Sequence, residues 1–180
     1  MDVKKGLCLF VVLLMLSQSA VAFAGDANAT QFFYIVKKLF PEASEIAVFI
    51  SPETLSAQKT MLDRAAAQNK VKATIYLIEN STDVGKRIRE LRENSILVIF
   101  DSSVLLKKST QLYILKNCKE KQISVFTSSR EYSDLGALLG IIEGSDSTVN
   151  LVLNLKQNEY LKPKFTDGFI KNAGIAEVIQ

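Results

Sequence analysis

The feature that most constrains the fold is a regular alternation of short apolar runs with longer segments of helical periodicity. The runs, such as EIAVFI and SILVIF, are rich in β-branched residues and are short enough to be buried strands. Strands joined by single helices lie parallel, because a right-handed crossover returns the chain to the same end of the sheet. The pattern therefore predicts an α/β fold with a mainly parallel sheet covered on both faces. The predicted strands are 45–50, 71–78, 95–100 and 123–127, and the predicted helices are 30–40, 52–69, 82–93 and 104–119.

Helix-start residues and the C-terminal part give finer expectations. Ser51, Pro52 and Glu53 have the order of an N-cap, a proline at the first helical position and an acidic first turn. Ser81 or Thr82 is expected to cap the third helix. After residue 127 the alternation weakens. The segment 149–155 predicts an edge or hairpin strand, and the tail predicts a short helix and a last strand near 176–179.

The first 24 residues predict a cleavable secretory signal peptide. Lys4 and Lys5 precede an apolar run over 6–16, and Ala22-Phe23-Ala24 has the small-x-small pattern of a cleavage site. Cleavage is expected after Ala24, with a second choice after Ala22. An uncleaved membrane anchor is the alternative, although spanning a bilayer takes about 20 apolar residues. We therefore expect a periplasmic protein that does not span the membrane, with one α/β domain over 25–180.

Composition excludes several function classes. The chain has no histidine, which removes histidine-dependent catalytic pairs and imidazole metal sites. Beyond residue 24 the one cysteine is Cys118, expected as a buried, inert thiol, so neither an internal disulfide nor a thiolate metal site is possible. No nucleotide-binding glycine motif occurs, and a net charge of +3 is low for a nucleic-acid partner. We expect a non-enzymatic protein without metal, cofactor or nucleic acid; a hydrolase or transferase without a recognisable motif is the third hypothesis.

Polar side chains follow each of the four predicted strands. The carboxyl ends of parallel strands meet at one edge of the sheet, where open α/β sheets bind ligands. Helix N-termini at that edge favour anions. Capping is the alternative for each side chain, and Asp101 is the best candidate because it follows the most buried strand. The predicted ligand-binding residues are Ser51, Asn80, Asp101, Ser102, Ser128 and Arg130.

Several stretches resemble ABC-transporter substrate-binding proteins of the tryptophan/tyrosine type. They are 39–48, Ser51-Pro52-Glu53, Thr82-Asp83-Val84, 123–127 leading to Gly136-Ala137-Leu138, and the closing 152–156. The resemblance covers roughly residues 36–180. It implies a three-layer, Rossmann-like (flavodoxin-like) domain equivalent to one lobe of a two-lobed periplasmic binding protein. It also implies recognition of a small polar ligand or of a membrane-associated partner, either a permease or a signalling receptor. By position, Ser51, Asp101 and Ser128 match strand ends that face the ligand.

A weaker resemblance connects the chain with YfiR-like periplasmic regulators. Those proteins are single exported domains with a glycine-rich strand and an "INL" segment near the end, similar to residues 136–155 here. Phe32-Phe33-Tyr34 and Phe40-Pro41 partly match their aromatic opening. This second resemblance implies control of a membrane-bound diguanylate cyclase by protein contact. Transport and regulation are both left open by the sequence.

Overall fold

A computed structural model describes residues 28–143 and 148–180, so the predicted signal peptide lies outside the described residues. Within them the chain forms seven strands, six α-helices and a 3-10 helix at Glu159–Lys164. The strands are β1 Glu45–Ile50, β2 Lys72–Leu77, β3 Ile96–Ile99, β4 Ser124–Thr127, β5 Leu139–Glu143, β6 Val149–Asn154 and β7 Ile175–Ile179. The helices are α1 Ala29–Leu39, α2 Pro52–Asn69, α3 Ser81–Glu90, α4 Lys108–Glu120, α5 Arg130–Leu135 and α6 Asp167–Ala173.

The strands form one sheet in the order β2-β1-β3-β4-β5-β6-β7. Strands β1 to β5 are parallel, β6 runs antiparallel to β5, and β7 runs parallel to β6. The predicted α/β class with a mainly parallel sheet is thus confirmed. The hairpin prediction for residues 149–155 is also confirmed, whereas an edge position is wrong because β7 covers β6.

Helices cover both faces of the sheet, which gives the predicted three layers. Alternate residues of β1 point to opposite faces. Ile46, Val48 and Ile50 pack with α1, α2 and α6, while Ala47 and Phe49 pack with α3, α4 and the α5 residue Tyr132. Each face therefore has its own apolar cluster, and the loops at the strand ends are free to carry polar side chains.

The local starts of the helices differ in part from the predictions. Ser51 caps α2 as expected, with its Oγ accepting the N–H of Thr54 at 3.2 Å. Helix α3 is capped by Asn80 and not by Ser81 or Thr82, because Asp83 can then accept the N–H of Asn80 and complete a capping box.

Two further differences concern the segments around α4. Helix α4 begins at Lys108 instead of residue 104, since the chain first makes hydrogen-bonded turns over residues 102–107. Helix α5 lies in a stretch whose polar sequence predicted no helix. Cys118 is buried in α4, as its helical phase predicts.

Candidate ligand-binding site

The strand order places a crevice at the carboxyl ends of β1 and β3. Strand β1 has β2 on one side and β3 on the other, so the connections on either side of β1 leave in opposite directions. Ligands in open α/β sheets bind at such a reversal point. A cavity of about 560 Å³ lies here, between the loops that follow β1, β2 and β3. Its lining comprises residues 51–54, Ile78, Glu79 and residues 102–104.

Two of the predicted site residues, Ser51 and Ser102, share this cavity. Each serine also supports its own loop: Ser51 Oγ caps α2 and lies 3.0 Å from Thr54 Oγ1, and Ser102 Oγ accepts the N–H of Leu105 at 3.4 Å. A serine hydroxyl has one donor and two acceptor positions. The Ser102 hydroxyl therefore keeps hydrogen-bonding capacity after fixing the backbone around it, whereas the Ser51 hydroxyl is engaged by Thr54 and Glu53.

The charge of the cavity is negative. Its charged lining residues are Glu53 and Glu79. A hydrogen bond from the backbone N–H of Glu53, followed by one from Ser51, lowers the pKa of the Glu53 carboxyl below 4.5, so it stays ionised near neutral pH. The start of α2 carries partial positive charge, which by itself would favour an anionic ligand. Glu53 lies in the first turn of this helix, however, and brings negative charge to the same place. The lining therefore favours a ligand that presents hydrogen-bond donors or positive charge.

Asn80 and Asp101 lie at strand ends but do not line the cavity. The side chain of Asn80 is exposed, and its Oδ1 accepts the N–H groups of Thr82 and Asp83. Asp101 is half-buried directly after β3. Its charge lies close enough to Tyr132 to contribute, after burial, to raising the pKa of that phenol. Asp101 thus faces a buried part of the molecule near α5.

Ser128 and Arg130 follow β4 and lie apart from the cavity. Ser128 is half-buried, and the neighbouring Ser129 caps α5. The guanidinium of Arg130 makes two contacts with the Glu177 carboxylate, at 2.7 and 2.8 Å, and one with Asp134 at 2.9 Å. The bidentate pair with Glu177, together with Asp134, raises the pKa of Arg130. The arginine thus joins α5 to β7.

The buried Tyr132 fixes the segment that carries Ser102. Its Oη donates a hydrogen bond to the carbonyl oxygen of Leu105 at 2.8 Å, although the two residues are far apart in sequence. Both side chains are fully buried. The tyrosine therefore positions the wall of the cavity formed by residues 102–104.

Sequence reasoning missed four polar lining residues, Glu53, Thr54, Glu79 and Ser103. All four lie in loops already recognised as polar strand ends, so their position after a strand was the available signal. Among residues 28–143 and 148–180, no group of three acidic or cysteine side chains is arranged to hold a metal ion. None of the helices in the described part of the chain has the length and hydropathy needed to cross a bilayer.

No protein-family model and no curated protein matches this sequence. Solved structures do match its fold. A conserved domain protein from Vibrio cholerae superposes with a TM-score of 0.71 at 16% identity, over 86% of this chain and 61% of that one. A substrate-binding protein with adhesive properties from Clostridium difficile, in its ligand-free open form, gives a TM-score of 0.69 at 17% identity, over 87% of this chain and 61% of that one.

A third match is an ABC domain from Streptococcus pneumonia in complex with L-Trp, with a TM-score of 0.66 at 12% identity, over 84% of this chain and 62% of that one. The chain folds like one substrate-binding-protein lobe. The resemblance inferred from the sequence is confirmed at the level of the fold. The chain spans less than two thirds of the length of these proteins, and identities this low carry no information about its ligand.

Proposed function

We propose that this protein is an exported, non-enzymatic binding or sensing protein that holds a small polar ligand at the carboxyl edge of its parallel sheet. The observation that carries the proposal is the cavity at the strand-order reversal, where Ser51 and Ser102 converge from separate loops. Its volume of about 560 Å³ falls in the range of small-molecule sites, about 300–1,000 Å³. Polar side chains from three loop segments can then orient one ligand.

The ligand is expected to carry an ammonium group or several hydroxyl groups. Glu53 and Glu79 supply acceptors and negative charge, while Ser102 and Ser103 supply hydroxyls that can donate or accept. No lysine or arginine side chain lines the cavity among the described residues. A dianionic ligand such as a phosphate ester would therefore meet repulsion instead of compensation.

The second wall of the cleft is expected to come from a partner. The cavity is open to solvent, and two-lobed binding proteins close a second lobe over the corresponding edge. A membrane-associated permease or signalling receptor would fill this role, which covers both the transport and the regulatory hypotheses. The complete lack of histidine in the sequence favours recognition over acid–base catalysis.

Ligand-dependent thermal stabilisation tests the proposal. A panel of amino acids, amines and polyols is screened, because a compound that binds the native state raises the melting temperature. Ser102→Ala should weaken binding of a hit about three- to tenfold, the effect of one lost neutral hydrogen bond. Ser95→Ala is the matched control, since it makes the same change at a half-buried position directly before β3, at the end of that strand opposite the cavity.

Equal weakening by the two serine variants would contradict the assignment of the cavity. A screen without any hit would argue against a small ligand and leave the YfiR-like regulator, which acts by protein contact alone, as the better hypothesis.

A further inference from the structure

We propose that the outer surface of α3 and α4 docks onto an anionic phospholipid membrane. We call this surface the α3–α4 face; it comprises the exposed side chains of residues 81–89 and 106–116. It shares no residue with the lining of the strand-end cavity. The proposal can therefore be tested independently of the proposed ligand-binding function.

Exposed apolar side chains are concentrated on the α3–α4 face. Of the six large hydrophobic side chains that are exposed among the described residues, three lie between positions 106 and 113. They are Leu106, Leu112 and Tyr113, with exposed fractions of 39%, 48% and 43%. Ser109, Leu112, Tyr113 and Lys116 share the outward stripe of α4, opposite the buried Ile114 and Cys118. Exposed apolar side chains that neighbour each other on one helix stripe, as Leu112 and Tyr113 do, are typical of an interaction surface.

Positively charged side chains lie next to these apolar residues along the chain and on the neighbouring helix α3. Lys107 and Lys108 separate Leu106 from the rest of the patch, Lys116 follows Tyr113 by one turn, and Lys86 and Arg89 lie on α3; all five are exposed. None of these five forms an ion pair with an acidic side chain of the described residues. Two nearby arginines do: Arg87 pairs with Glu90, and Arg92 pairs with Glu45. Their charge is therefore available to a negatively charged partner.

A groove between the two helices suits a headgroup phosphate. It has a volume of about 420 Å³, and Arg89, Tyr113 and four hydroxyl side chains line it. The hydroxyls belong to Ser81 and Thr82 at the start of α3 and to Ser109 and Thr110 at the start of α4. Helix α4 begins without a side-chain cap, since its N-cap residue is Lys107. The groove thus combines a guanidinium, hydroxyl donors and the uncapped, positively polarised start of α4.

A lipid surface fits this arrangement better than an acidic protein does. Leucine and tyrosine side chains flanked by lysines are the composition of helices that lie in the membrane interface, where lysine stems cover apolar surface and ammonium groups reach the phosphates. The groove between α3 and α4 is lined mainly by hydroxyls, so the groove itself gives the anchoring side chain of a protein partner no apolar pocket. Shallow insertion of Leu112 and Tyr113 needs no such pocket.

Co-sedimentation with vesicles tests the proposal. We expect the purified protein to bind vesicles of equal parts phosphatidylglycerol and phosphatidylcholine. The binding should be lost at high salt, and the protein should not bind vesicles of phosphatidylcholine alone. The double variant Lys107→Gln/Lys108→Gln should weaken binding about 30-fold, as expected for two cations near an anionic surface. Lys59→Gln/Lys162→Gln is the matched control, because both lysines are exposed and lie on other elements.

The apolar contribution has its own pair of variants. Leu112→Ser should reduce vesicle binding several-fold, whereas Tyr34→Ser, at an exposed position on α1, should not. Equal weakening by the two double-lysine variants would overturn the proposal, since net charge alone would then explain the attraction. Absence of vesicle binding would also overturn it, and binding to soluble polyglutamate without vesicle binding would assign the face to an acidic protein instead.

Discussion

Replacing Gly140 with alanine should destabilise the protein strongly, although glycine is a poor strand residue. Gly140 lies in β5 between β4 and β6, and a Cβ built there overlaps Ser133 Oγ of α5. Ser133 is fully buried, and its Oγ donates to the carbonyl oxygen of Ser129 at 3.1 Å. Overpacking costs about 1–3 kcal/mol, and losing the Ser133 hydrogen bond adds about 1 kcal/mol. We expect Gly140→Ala to lower the free energy of unfolding by about 2–4 kcal/mol.

Urea denaturation of Gly140→Ala, Ser133→Ala, their double variant and Gly168→Ala separates this cause from a general effect of alanine. Gly168→Ala is the matched control, because a Cβ at this position in α6 meets nothing within 4 Å; it should leave stability unchanged or raise it by a few tenths of a kcal/mol. In the double variant Gly140→Ala/Ser133→Ala the overlapping oxygen is gone. The loss of unfolding free energy in this variant should therefore be smaller than the sum of the losses in the two single variants, by about 1 kcal/mol or more. Strict additivity of the two changes would refute the reasoning.

Two more predictions concern buried groups near the site. Tyr132→Phe should cost about 1–2 kcal/mol in urea denaturation, because the buried Leu105 carbonyl loses its donor; Tyr113→Phe, at an exposed hydroxyl, should cost almost nothing, and equal losses would refute the role of the hydrogen bond. Burial raises the pKa of the Cys118 thiol from 9.0 to about 12. The unfolded thiol ionises from about pH 9 while the native one does not, so the free energy of unfolding should decline above that pH. Cys118→Ala should decline less steeply there; identical slopes would contradict the shifted pKa.

The parallel part of the fold could be predicted from the sequence because its signals are local. Runs such as 45–50 and 123–127 combine β-branched residues with flanking turn residues, and the structure places strands there. Helix α5 was missed since its six residues are too few and too polar to show a helical period, and Tyr132 is buried through tertiary packing. The pairing of β7 with β6 was missed because the two segments are separated by more than a strand-length of chain.

The site could be predicted only in part for a similar reason. That polar loops follow the strands is visible in the sequence, and Ser51 and Ser102 do meet in one cavity. Which loops meet depends on strand order, and the sequence pattern does not encode that order. Arg130 shows the limit most clearly, since its partner Glu177 lies 47 positions away and on another strand. Whether Asn80, Asp101, Ser128 and Arg130 contact a ligand stays a prediction.

The two apolar clusters on opposite faces of the sheet share no side chain among residues 28–143 and 148–180. Substitutions buried beneath α3 and α4 should accordingly combine additively with substitutions beneath α1 and α2. The helices that carry the basic surface can therefore diverge in evolution, or be redesigned, without forcing compensating changes on the opposite side of the molecule. The apolar cluster beneath α1 and α2 can preserve the strand arrangement while the cluster beneath α3 and α4 changes to suit a new partner.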